Sequence, residues 1–143
     1  MSAEKLYTPA MLAAAVQLAD YPPIAGASLH GEARSATCGS EIVLDAETDA
    51  DGAISAVGLK VRACAVGQAA ASLFAQHAQG RGLADIERTH TDLTRWLKDG
   101  VAMPEWPSLS LIAAARDYPA RHDAMLLPWK AAIAALSSAP ASS

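Results

Sequence analysis

Residues 57–64 read VGLKVRAC, and the hydrophobic period of the sequence changes where they end. Up to Ala63, small and apolar side chains alternate with glycine and basic ones, which is the period of two of a strand with one buried face. After Cys64, apolar residues recur three and four positions apart up to Phe74, which predicts a helix. The chain therefore passes from strand to helix at Cys64.

Two further strands are predicted upstream of this junction. Residues 28–34 alternate polar side chains with small or apolar ones, and residues 41–46, which read EIVLDA, form a clearer strand. The sequence DADG at residues 49–52 predicts a turn, because Asp and Gly tolerate the dihedral angles that turns require. Three consecutive strands with short connections predict an antiparallel meander.

Helices are predicted on both sides of this meander. The first begins after a Thr8 cap, with Pro9 at its first position, and stops before the prolines at residues 22–23. Further along, we predict a helical turn at residues 83–87 and helices at residues 91–98, 108–115 and 119–136. Pro128 lies inside the last helix, so a kink or a late start is expected there.

Length and composition favour a single domain. The chain has 143 residues, fitting one domain at residues 1–136 and a disordered tail at residues 137–143. The net charge is −4 and charges of both signs are interspersed, so nucleic acid is not an expected partner. The polar N-terminus and the lack of a long apolar run predict a cytoplasmic protein that does not enter a membrane.

The two cysteines, Cys38 and Cys64, both lie at connections of the predicted sheet. Cys38 precedes Gly39, which permits a tight turn, and Cys64 opens a helix, whose positive end favours the thiolate form. In a meander these two connections can fall at the same end, so we expect sulfurs within about 8 Å of each other. The alternative is that each Cys is simply a small buried hydrophobe.

Together with residues 118–121 (YPAR) and 129–131 (WKA), these cysteines resemble the NifU-like scaffolds of iron–sulfur cluster assembly, especially their SufU-type branch. That family pairs a Cys-Gly-Asp turn with a second Cys opening a helix and a third Cys shortly after a Pro-x-Arg segment. Here Ser40 stands at the Asp position and Ala124 at the third Cys position. The resemblance implies an α+β fold, with a three-stranded antiparallel sheet packed with helices.

The resemblance also implies a metal site and partners. Its ligands would be Cys38, Cys64 and Asp123, because the residue before the third Cys is often a coordinating His in this family and is Asp123 here. The implied cargo is zinc, iron or an iron–sulfur cluster, and the implied partners are a cysteine desulfurase or other iron–sulfur assembly proteins. The alternative for Asp123 is a solvated carboxylate near a helix start, where carboxylates are favoured. His122 is a second candidate ligand.

Three functions remain open from the sequence. The first is a scaffold-like protein, not an enzyme, that binds iron, zinc or a cluster weakly through a depleted site. The second is a metal-free protein-interaction module that kept the fold and lost the site. The third is an enzyme with Cys64 as nucleophile, for which no neighbouring base is visible. Whichever holds, sulfur cannot be accepted at residue 124, because no thiol is there.

Overall fold

The sheet of this protein is a three-stranded antiparallel meander in the order β1–β2–β3. In the computed structural model, which describes residues 6–36 and 39–138, the strands are β1 (Leu29–Arg34), β2 (Glu41–Thr48) and β3 (Ile54–Arg62). Residues on one side of the sheet, among them Leu29, Leu44 and Leu59, are buried in the core. The predicted α+β class and meander are confirmed.

The described part of the chain contains four α-helices, two of which make most of the contacts with the sheet. They are α1 (Pro9–Val16), α2 (Ala65–His77), α3 (Leu83–Asp99) and α4 (His122–Ser137). Short 3₁₀ segments cover Gln17–Asp20, Leu109–Asp117 and Pro119–Arg121. The predicted cap of α1 is present, since the Thr8 hydroxyl accepts a hydrogen bond from the Met11 amide at 3.1 Å. Helix α4 lies on β1 and β2 and also contacts α2 and α3, which places this helix at the centre of the fold.

Helix α3 corrects the prediction of two separate short helices at residues 83–87 and 91–98. The chain between them is also helical, so the predicted interruption is wrong. The helix continues through residues 88–90 although they carry no apolar side chain, because the buried stripe of α3 includes the polar Thr89 beside Ile86 and Leu93. Thr89 stays in the helix by donating its hydroxyl to the carbonyl oxygen of Asp85 at 3.0 Å.

Helix α4 begins at His122, three residues later than predicted, after the 3₁₀ turn Pro119–Arg121. Its position against α2 is fixed by an aromatic cluster of Phe74, Trp106 and Trp129. Phe74 stacks on Trp106 with ring centroids 5.2 Å apart, and Trp129 meets both rings edge-on, each at 5.3 Å. Trp106 and Trp129 are therefore core anchors in a core otherwise rich in alanine.

Some predictions concern residues outside those described. Of the tail predicted at residues 137–143, Ser137 is the last residue of α4, and residues 139–143 lie outside the described part. No helix within the described ranges combines the length and apolar character needed to cross a bilayer.

Candidate metal centre

The register of the sheet brings two connections to one end. Arg34, the last residue of β1, pairs with Glu41, the first of β2, and Glu41 pairs with Arg62, the last of β3. The Glu41 carboxylate joins the three strand ends by accepting from Arg34 at 2.9 Å and from Arg62 at 3.2 Å. The β1–β2 connection, which carries Cys38, and the β3–α2 junction, which carries Cys64, therefore leave the sheet at the same end.

The first connection is held close to the sheet. Its Ser35 amide donates to the carbonyl oxygen of Ser40 at 2.8 Å, and the Ser40 side chain is buried, with only 4% of the residue exposed. Gly39 has φ +69°, a left-handed conformation that suits a tight turn at glycine. Cys38 itself lies outside the described residues, so its distance to the Cys64 sulfur stays a prediction.

Cys64 is the N-cap residue of α2 and is half-buried. Its extended backbone (φ −65°, ψ 170°) turns the chain into the helix, and its carbonyl accepts from the Gln68 amide at 2.9 Å. The Gln68 side chain donates back to the Ala63 carbonyl at 2.9 Å, which closes the junction. The Cys64 side chain makes no capping hydrogen bond, so the thiol is not engaged by the helix it opens.

Ala124 lies against the first turn of α2, beside Gly67. A Cβ built on Gly67 would lie 3.3 Å from the Ala124 Cβ and 2.7 Å from the Ala63 Cβ. Ala124 is fully buried, so its methyl group fills the space between α4 and the turn that Cys64 begins. A side chain at residue 124 therefore points towards the first turn of α2, the helix that Cys64 begins.

Pro128 affects the same residue from the other side. It lies within α4, four residues after Ala124, and has no amide hydrogen to donate to the Ala124 carbonyl. That carbonyl oxygen lies 3.7 Å from the Cβ position at Gly67. Residue 124 thus places a methyl group and a carbonyl oxygen beside the start of α2. This carbonyl oxygen lacks the amide donor that residue 128 supplies in a regular helix.

Asp123 and His122, the other predicted ligands, line a cavity between α3 and α4. This cavity measures about 240 Å³ and is also bordered by Thr94, Lys98 and Leu126. The His122 Nε2 contacts the carbonyl oxygen of Arg116 at 2.7 Å, so this nitrogen is already occupied. Both residues are half-buried at the start of α4, one turn or less from Ala124.

The donor set is incomplete in the described part of the chain. Over residues 6–36 and 39–138, no group of three His, Cys, Asp or Glu side chains is arranged to hold a metal ion. A tetrahedral zinc or iron site needs four ligands, and two thiolates with one carboxylate supply three.

Gly67 is the residue that sequence reasoning missed. A glycine inside a helix costs about 1 kcal/mol relative to alanine, so its presence usually has a packing reason. Its place three residues after Cys64 was the available signal. The reason for it, contact with Ala124, is visible only in three dimensions because 57 residues separate the two.

Comparison with solved structures tests the resemblance. The N-terminal part of a nitrogen-fixing NifU-like protein from Brucella abortus superimposes with a TM-score of 0.85 at 25% identity, covering 94% of each chain. This chain has the NifU-like fold. A protein from Fervidobacterium islandicum, assigned as an iron–sulfur cluster assembly scaffold of the SUF system, gives a TM-score of 0.80 at 21% identity, covering 94% of this chain and 99% of its own.

Neither a family model nor a curated protein matches the sequence. The resemblance to NifU-like and SufU-type proteins is nevertheless confirmed at the level of structure over nearly the whole chain. Within the NifU-like fold, the ligand roles of Cys38, Cys64 and Asp123 stay predictions, as does the assignment of Ser40 and Ala124 to substituted ligand positions.

Proposed function

We propose that this protein is a divergent iron–sulfur assembly scaffold-like protein that holds zinc, iron or a cluster weakly as cargo. The site lies at the end of the sheet where Cys64 begins α2, and Cys38 and Asp123 are its other ligands. The observation that carries the proposal is the contact of Ala124 with Gly67. This contact supports the proposal because residue 124, which is the third ligand position by resemblance, lies beside the helix that Cys64 begins.

The residues of the proposed site determine how strongly it holds a metal and whether it can accept sulfur. With alanine at residue 124, the site lacks a thiol that could receive sulfur there, so the protein does not act as a persulfide acceptor at this position. A cysteine desulfurase or another iron–sulfur assembly protein is the proposed partner, and it supplies the missing ligand in the bound state. The protein itself performs no bond-making chemistry in this role.

Metal analysis of purified protein tests this proposal. We expect less than one zinc or iron per chain, because the ligand shell is incomplete, and loss of that metal in Cys38→Ser and in Cys64→Ser. Asp123→Asn keeps the shape of the side chain and removes its charge, so it should lower the metal content further. Asp117→Asn is the matched control, since Asp117 is an exposed carboxylate six residues earlier.

Two outcomes would contradict the proposal. One tightly held zinc per chain that survives a chelator would mean a complete site. Metal content that is unchanged in both cysteine variants would mean that binding is adventitious.

The second candidate is a metal-free interaction module with the same fold. The complete burial of the Ala124 methyl group favours it, because a filled position needs no ligand to be stable. In that case the purified protein contains no metal above the background of the Cys38→Ser/Cys64→Ser variant, while its melting temperature is the same with and without added zinc.

A further inference from the structure

Charged side chains of alternating sign lie along one face of α3, and the series begins at Arg81, two residues before the helix. Each is three or four positions from the next, so the side chains that lie within the helix form one stripe. We call this stripe the charge ladder. Its members, in chain order, are Arg81, Asp85, Arg88, Asp92, Arg95 and Asp99.

The charge ladder lines an open cleft. Its first five residues form one side of a cleft of about 520 Å³, whose other side is the loop at residues 101–105. Two apolar side chains of this loop, Val101 and Met103, are 39% and 37% exposed. The cleft therefore has one charged side and one side with exposed apolar residues, and no element of the described part of the chain covers it.

The two halves of the charge ladder differ in how far their charges are satisfied. Asp85 is shared by Arg88 and by Arg81, which it contacts at 3.3 Å. Arg81 is also fixed by stacking over Trp106 at 4.0 Å and by donating to the His77 carbonyl at 2.8 Å. In the second half, none of the three charges forms an ion pair with any described residue: Asp92, Arg95 and Asp99.

The order of the charges makes the ladder complementary to itself. In an antiparallel pair of α3 helices centred on residue 90, positions equally far from the centre face each other. Arg88 then meets the partner copy's Asp92, and Asp85 meets the partner copy's Arg95. The ends match as well, with Arg81 opposite Asp99. Every facing pair is therefore of opposite sign. Asp92, Arg95 and Asp99 form no ion pair with a described residue of their own copy, and each faces an opposite charge in the first half of the partner copy's ladder.

We propose that α3 is the contact of a weak twofold homodimer, in which two charge ladders pair antiparallel across the cleft. A C2 interface must be complementary to itself, and this ladder meets that requirement at all six positions. Its charges sum to zero, so an anionic ligand or nucleic acid would face as many acids as bases. Exposed ion pairs contribute little individually, so we expect a dissociation constant of roughly 10⁻⁵ to 10⁻³ M.

Charge reversal at the central pair tests the proposal by sedimentation. Arg88→Asp alone places two acids opposite each other, and Asp92→Arg alone places two bases opposite each other, so each variant should dimerise about ten- to thirtyfold more weakly than the parent chain. An equimolar mixture of the two variants should associate as strongly as the parent, because every facing pair is again of opposite sign. Raising the salt concentration should weaken the parent dimer.

Controls keep the outcome unambiguous. Glu87→Arg changes an exposed charge of α3 outside the ladder and should leave association unchanged. If either central variant fails to fold, Asp85→Arg and Arg95→Asp repeat the mixing test at the next pair. A parent chain that stays monomeric to millimolar concentration would overturn the proposal. A mixture that associates no more strongly than its components would overturn it equally.

Discussion

At residue 67 the neighbouring Cβ atoms of Ala63 and Ala124 leave no room for a methyl group. Gly67→Ala should destabilise the protein by about 1–3 kcal/mol, because the added Cβ would lie 2.7 Å from the Ala63 Cβ and 3.3 Å from the Ala124 Cβ. Helix propensity alone predicts the opposite, a gain of about 1 kcal/mol. Urea unfolding decides between the two signs.

The matched background for this test is Ala63→Gly, which removes the nearer contact. Gly67→Ala should cost less in that background than in the parent chain, and the difference measures the crowding at the junction. A stabilising effect of Gly67→Ala in the parent would mean that Ala63 and Ala124 do not crowd residue 67.

His90 is a second residue with a defined physical consequence. Burial lowers the pKa of His90 below its usual 6.5, and the positive charge of Lys130 lowers it further. The unfolded chain therefore binds a proton at a higher pH than the folded chain does. As the pH falls through about 6.5, this group makes folding less favourable, so stability should decline.

Replacing His90 with leucine should remove that part of the pH dependence. The Nε2 of His90 is buried without a hydrogen-bond partner among the described residues, so His90→Leu should also raise the unfolding free energy at neutral pH by about 1 kcal/mol. Unfolding curves between pH 7.5 and 5, recorded for both proteins, measure the difference. Parallel pH profiles for the two would contradict this account of His90.

At the scale of elements, Asp45 joins strand β2 to two other segments. This carboxylate is buried, accepts the Ile24 amide at 2.9 Å and contacts the Nδ1 of His30 at 2.7 Å. Asp45→Ala should therefore cost about 1.5–3 kcal/mol, because a hydrogen bond to a charged group is lost and the partly buried Ile24 amide loses its acceptor. Amide hydrogen exchange at Ile24 should also become faster.

Glu41→Ala is the matched control on the same strand. Glu41 also joins neighbouring strands, through Arg34 and Arg62, but both arginines are more than three-quarters exposed. Exposed pairs of this kind contribute about 0–1 kcal/mol. If Asp45→Ala and Glu41→Ala lower the free energy of unfolding equally, burial does not determine how much each carboxylate contributes to stability.

The local sequence pattern was enough to predict most of the strands and helices, but not the residues at which they begin and end. The period of two and the turn at residues 49–52 predicted β3 and its neighbours, because each of these strands buries one face. The continuity of α3 was missed because residues 88–90 carry no apolar side chain and a polar residue, Thr89, occupies a position in the buried stripe. Helix α4 begins late because the residues after Pro119 first form a 3₁₀ turn, a choice between helix types that composition does not reveal.

At the scale of the whole molecule, the candidate site depends on contacts between distant parts of the chain. Sequence reasoning placed the two cysteine connections at one end of the sheet, because a meander with short links leaves few alternatives. It assigned Ala124 to the third ligand position only through resemblance to a family. The packing that brings residue 124 to Gly67 comes from the aromatic cluster and from the seating of α4 on β1, neither of which has a local sequence pattern.

Restoring the missing ligands tests the central claim, that this is a NifU-like scaffold site depleted at Ser40 and Ala124. The variant Ser40→Asp/Ala124→Cys places a carboxylate and a thiol at those positions, and adding Pro128→Ala restores an amide donor to the carbonyl of residue 124. Without metal, the variant should melt below the parent, because Ser40 is only 4% exposed and placing the charge of a carboxylate in a buried position is costly.

The deciding measurement is calorimetry of this triple variant with and without zinc. With zinc in large excess over its dissociation constant, we expect the melting temperature to rise by about 10 °C, which corresponds to a few kcal/mol of binding free energy. Adding Cys64→Ser to the same variant should abolish the rise. A triple variant whose melting temperature does not respond to zinc would contradict the assignment of residue 124 to the ligand set and reduce the likeness to the fold alone.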